Sequence, residues 1–153
     1  MRDVHLLIAT DGSGASLEVI RGALGLLAPP GKATLLTVLS NLPVEDYDEY
    51  DEPLPAPDTQ SRSWDAAIRV AQAELENFAA VVAAADVDRR VEAGDVAPTI
   101  CSVAREIDAD AIVIGAHMRG RFRPRFLTSV AERVVRDAPC TVVVADHRPR
   151  AKS

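Results

Sequence analysis

Residues 111–144 read AIVIGAHMRGRFRPRFLTSVAERVVRDAPCTVVV. The apolar run Ala111-Ile112-Val113-Ile114 stops at Gly115. A short apolar run rich in β-branched residues and ended by glycine fits a strand covered on both faces of a parallel sheet. A loop with Gly120 and Pro124 follows. Helical spacing then opens at Thr128-Ser129, with Val130, Val134 and Val135 at i, i+4 and i+5. Pro139 ends that helix, and residues 141–145 form a second apolar strand. Strand, loop, helix, strand is the βαβ unit of a parallel α/β fold.

That unit carries a chemical expectation. Between the carboxyl end of a strand and the N-terminus of a helix, backbone N–H groups lack partners and the helix dipole favours anions. Parallel α/β folds bind phosphates there. Four arginines, Arg119, Arg121, Arg123 and Arg125, alternate through this loop of a chain whose net charge is −6. Three readings stand side by side. The guanidinium groups hold phosphate, they meet an acidic partner such as the 45–52 run, or they form a solvated basic loop. His117 is within the same loop and reads as a solvated side chain.

Outward from there the pattern repeats. Residues 4–9 form an apolar strand, central and covered on both faces, that ends in the turn cluster Thr10-Asp11-Gly12-Ser13. Ser16 is a candidate N-cap, with Leu17, Ile20, Leu24 and Leu27 following at helical spacing until Pro29-Pro30-Gly31. Residues 33–38 make the second strand. Residues 41–61 read as an irregular, solvated acidic loop, with six acids between Glu45 and Glu52 and prolines at 53, 55 and 57. Residues 62–85 are helical, with Ala67, Val70, Ala71, Leu75, Phe78 and Val82 on one stripe. A short, more polar strand at 87–93 belongs near a sheet edge, and a helix opens at Ala97-Pro98 and runs to Ile107.

Composition narrows the function classes. At 153 residues, 48% hydrophobic and 26% charged, the chain fits one ordinary globular domain. No apolar run reaches the roughly 18–20 residues that span a bilayer, and the N-terminus lacks a signal-peptide pattern, so a cytoplasmic location without membrane contact is expected. The acidic balance argues against nucleic-acid binding. Cys101 and Cys140 make neither a disulfide framework nor a metal-ligand set, and read as small apolar side chains. No nucleophile–base pair, nucleophile elbow or metal cluster stands out, so no catalytic residue is assigned and no enzyme is expected.

Two stretches resemble the universal stress protein family. The first is IATDGS at residues 8–13, similar to the family's first strand and loop. The second is AERVVRDAPC at residues 131–140, similar to its last helix and turn. Between them, nucleotide-binding members carry Gly-x-x-Gly, nine residues, then Gly-Ser or Gly-Thr. Here Gly115 and Ser129 match, while Met118 and Thr128 stand where glycines would be. The resemblance covers roughly residues 3–145, least securely across 41–61, with a domain over 1–147 and a polar tail over 148–153.

It implies a five-stranded, mainly parallel, open doubly wound sheet, Rossmann-like and of the adenine-nucleotide alpha-hydrolase type, with helices on both faces. It implies a nucleotide site formed by Ala9, Thr10, Asp11, Val38, Gly115, Met118, Arg119, Thr128, Ser129 and Val130. Asp11 would contact adenine or ribose and the backbone near Val38 would line adenine. Asp11 equally suits a turn ahead of a helix. The Met118 side chain occupies space the phosphate chain would need.

The leading expectation is a non-enzymatic cytoplasmic stress-response homodimer with a degenerate nucleotide-binding loop. It would pair through Thr141, Val142, Val143, Val144 and Ala145 of an edge strand. A member binding ATP as Mg-ATP, with slow or no hydrolysis, is the second. A protein-interaction module working through the arginine loop is the third, and an electron-transfer flavoprotein-like domain the fourth.

Overall fold

The computed structural model describes residues 3–12, 14–40, 57–116 and 129–146. The elements in chain order are β1 (His5–Ala9), α1 (Gly14–Leu24), β2 (Lys32–Leu39), α2 (Pro57–Ala79), β3 (Asp86–Ala93), α3 (Val96–Glu106), β4 (Ala111–Gly115), α4 (Ser129–Asp137) and β5 (Thr141–Ala145). The five strands form one sheet in the order β3-β2-β1-β4-β5. Every pairing in it is parallel. The expected "mainly parallel" sheet is therefore parallel throughout.

Alternation along the strands divides the core in two. Leu7, Ala9, Leu36, Val38, Ile112 and Ile114 face one side, where Ile100, Val103 and Ala104 of α3 and Val134 of α4 cover them. Leu6, Ile8, Leu35 and Val113 face the other, beneath Ile20 of α1 and Leu75 and Phe78 of α2. Burial on both faces is why β1, β2 and β4 read as unbroken apolar runs. Each fully buried aliphatic side chain contributes roughly 1.5–3 kcal/mol from leaving water.

The two edges differ in chemistry. β3 is edged with charge: Lys32 Nζ lies 3.0 Å from Asp88 and 3.6 Å from Asp86. Arg90 bridges Glu92 at 2.6 Å and Glu106 at 3.1 Å. Exposed pairs of this kind add little stability, but charge on an edge strand discourages pairing with another chain. β5 is apolar instead. Its Val142 and Val144 join the core on the α3/α4 face, beside α4, and Val143 joins the core on the other face, beside α1. Among the described residues its outer edge has no partner strand.

Several element bounds depart from the sequence reading. α1 opens at Gly14, so Ser16 lies inside its first turn and is not the N-cap. The helix ends at Leu24, and Leu27 packs on the core from the following turn. α2 begins at Pro57, inside the stretch expected to be irregular, because proline suits a first helical turn. Residues 41–56, with the acidic run, lie outside the described residues. α2 ends at Ala79 rather than near 85, while Val82 is still buried, reached from a turn. Val70 and Val135, placed on apolar stripes, are 58% and 49% exposed.

The end of α3 has a backbone feature with no glycine to announce it. Asp108 sits at φ 52°. Its N–H donates to Arg105 O at 3.2 Å and the Ala109 N–H to Ala104 O at 3.0 Å. This is the Schellman pattern, with aspartate in the left-handed position that glycine usually takes.

Candidate functional site

The strand order creates a crevice. From β1 the chain winds outward to β2 and β3, then returns to the other side of β1 with β4 and β5. At the carboxyl ends of β1 and β4 the connections therefore leave in opposite directions, α1 to one face and α4 to the other. Open α/β sheets bind ligands at such a switch point.

The β1 wall is rigid. Ala9 is level with Leu36 on one side and Ile114 on the other. One residue on, the Thr10 N–H continues the ladder to Leu36 O at 2.9 Å, and the side chain is 1% exposed. Thr10 Oγ1 accepts the Gly12 N–H at 3.0 Å and lies 3.4 Å from Ser16 Oγ. This bond closes a tight turn around Asp11, which is half-buried. Gly12 takes φ +79°, and a Cβ there would collide with the Glu74 carboxylate of α2. Gly12 is thus favoured by its positive φ, and any larger residue there would also have to push the Glu74 side chain aside.

The other walls follow from the register. Val38, at the end of β2, is 3% exposed in the α3/α4-side core. Gly115 ends β4 and is buried, and the next N–H, of Ala116, donates to Ala145 O at 2.8 Å. A Cβ at Gly115 would meet Ser16 Oγ at 3.8 Å, an ordinary contact, so packing alone does not demand glycine there. Ser129 is the first residue of α4. Val130 packs against the cluster that holds Ala9, Val38 and Ile114.

Ala9, Thr10, Asp11, Val38, Gly115, Ser129 and Val130 thus belong to one end of the sheet. Met118, Arg119 and Thr128 lie outside the described residues, as do His117 and the remaining loop arginines. Three details escaped the sequence reading: the positive φ of Gly12, the approach of Ser16 to Thr10, and Glu74 altogether. Nothing in the sequence marks Glu74, one acid among several on an alanine-rich helix.

Two contacts tie α3 to α4, one near the crevice and one at the far end of the helices. Asp95 precedes α3 and makes no side-chain cap; its carboxylate accepts from Arg133 Nη1 of α4 at 3.3 Å. Arg105 donates to the carbonyl of Asp137 at the end of α4, at 3.3 Å. Both cysteines are free thiols, Cys101 buried and Cys140 half-buried. Burial pushes both thiols above their ordinary value. Among the described residues no three His, Cys, Asp or Glu side chains group to hold a metal ion, and no helix is long and apolar enough to cross a membrane.

Comparison with known proteins agrees with this geometry. The profile described as "Universal stress protein family" matches residues 4–146. A putative universal stress protein of Staphylococcus aureus (strain USA300) is 29% identical over 142 residues, 92% of this chain and 82% of the relative. Universal stress protein UspA from Lactobacillus plantarum superposes with a TM-score of 0.61 at 23% identity, covering 95% of this chain and 99% of that one. An Arabidopsis thaliana protein of the same family, solved with AMP bound, gives a TM-score of 0.60 at 15% identity, over 98% and 96% of the two chains. At these identities the two solved structures show a shared fold.

Proposed function

The chain belongs to the universal stress protein family, and on that premise we propose that it is a small cytoplasmic regulatory protein that binds an adenine nucleotide without turning it over. One observation carries the reading. The strand order brings the Asp11 turn, the end of β2 at Val38, the end of β4 at Gly115 and the start of α4 to a single switch-point crevice. The Arabidopsis relative holds AMP, and other proteins of this fold have been solved with cAMP and with dAMP. In this reading Asp11 receives hydrogen bonds from the base or ribose. The backbone at Val38 and Ala9 lines the base, and the Gly115 backbone with the α4 N-terminus faces the phosphates. ATP, as Mg-ATP, is the first ligand to try.

The test is calorimetric titration with Mg-ATP, AMP and cAMP, after the purified protein is checked for co-purified nucleotide. Micromolar binding, weakened at least ten-fold in Asp11→Ala, is expected. Absence of heat to millimolar nucleotide in a nucleotide-free preparation rejects the proposal.

A second reading rests on β5. An apolar edge strand with half-buried Val142, Val143 and Val144 is a surface suited to pairing with its own copy about a two-fold axis. A homodimer through Thr141–Ala145 is expected to become a monomer in Val143→Arg. Equal sedimentation of wild type and variant rejects it.

A further inference from the structure

We propose that Glu74 is a built-in anion at the β1–α1 turn, and that it decides which end of a nucleotide that turn can face. The proposal rests on the nucleotide reading above and deepens it.

In a doubly wound fold the first helix after β1 is itself a candidate phosphate site, because its leading N–H groups and dipole are open to an anion. α1 is eleven residues long and has no acidic residue in its first turn. What stands there comes from α2. The Glu74 carboxylate lies against Gly12, two residues before α1 begins, so closely that a Cβ on Gly12 would collide with both Oε2 and Cδ. Glu74 is half-buried, and among the described residues no cation pairs with it. The Gly12 N–H is already committed to Thr10 Oγ1 at 3.0 Å. Asp11 places a second carboxylate in the same turn.

An incoming phosphate at this turn therefore meets like charge where another doubly wound protein would offer bare N–H groups. The uncharged base and ribose meet no such penalty, and a carboxylate is a good acceptor for their N–H and O–H groups. Glu74 thus sorts the ligand end to end. It keeps phosphate off α1 and directs it to the β4–α4 side, while the β1–α1 turn takes the neutral part. Glu74 acts on position and specificity, without contacting a reacting atom.

The probe is inorganic phosphate at constant ionic strength, read as the thermal unfolding midpoint of wild type, Glu74→Gln and Asp65→Asn. The last removes the same charge from an exposed site elsewhere on α2. Glu74→Gln is expected to gain phosphate-dependent stabilisation, with half-effect at about five-fold lower phosphate than wild type, as lost like-charge repulsion near a helix terminus allows. Asp65→Asn is expected to track wild type. If Glu74→Gln tracks wild type, or Asp65→Asn gains as much, the proposal is overturned. Should Glu74→Gln fail to fold, Glu74→Asp withdraws the charge by one methylene and makes the same comparison. A gain of two-fold or more supports the proposal, and none overturns it. The probe contains no nucleotide. A gain in Glu74→Gln with no nucleotide binding to wild type would keep Glu74 as an anion barrier at this turn, but would reject the nucleotide reading and with it the sorting of a nucleotide's two ends.

Discussion

Replacing Gly12 by alanine tests the geometry of the β1–α1 turn most directly. Two costs are separable. Gly12 is at φ +79°, where an L-residue is strained by about 1–2 kcal/mol. Against this, alanine restricts the unfolded chain and returns about 0.4–1 kcal/mol. The net backbone cost is thus about 1 kcal/mol. The new Cβ also collides with the Glu74 carboxylate, which is the far end of a flexible side chain and can turn aside. Forcing that side chain off its rotamer costs about 0.5–1.5 kcal/mol. Together Gly12→Ala should destabilise by about 2 kcal/mol. In a Glu74→Ala background only the backbone part remains, so the same change should cost about 1 kcal/mol, leaving a coupling of about 1 kcal/mol. Urea unfolding measures both, and with a slope of about 2 kcal/mol/M the midpoint should fall by about 1 M and about 0.5 M respectively. A cost below about 0.5 kcal/mol would refute the strained turn. Equal costs in the two backgrounds would refute the Glu74 contact.

Other consequences follow from single features. Phe78 is 2% exposed between α2 and the sheet, and Phe78→Ala should lose about 3–5 kcal/mol in the same unfolding assay. Asp108 occupies the left-handed position of the α3 Schellman turn, so Asp108→Gly should stabilise by about 0.5 kcal/mol, seen as a small rise in the midpoint. Burial raises both thiols, so a disulfide reagent at pH 8 should label the native protein more slowly than the unfolded chain, Cys140 before Cys101. The Arg90 guanidinium beside Glu106 holds its carboxyl below the ordinary 4.5. That contribution is complete above the ordinary value and fades as pH falls through the folded one, so Glu106→Gln should flatten the acid limb of the stability curve.

Sequence and structure divide the explanation of this protein between them. The buried strands were legible because a strand covered on both faces must be apolar at nearly every position. β1, β2 and β4 therefore announce themselves, as does the βαβ unit at 111–145. The ends of β1 and β4 were legible because the turn cluster at Asp11-Gly12 and the glycine at 115 interrupt the apolar runs. Helix bounds were less so: Pro57 looked like a loop residue, yet α2 starts there, because proline is tolerated in a first helical turn. The exposed Val70 shows the same limit, since helical spacing names a stripe without saying how wide a face its neighbours cover.

What the chain by itself determined is local: which segments are strands, where they stop, and which family's signatures they resemble. Only the tertiary structure decided the strand order β3-β2-β1-β4-β5, and with it the crevice between β1 and β4. The reason is physical. An apolar strand can be buried at any interior position of a parallel sheet, so its composition does not name its neighbours. Glu74 is the sharpest case. It is 62 positions from Gly12 in sequence, and only the packing of α2 across the sheet sets its carboxylate against that turn.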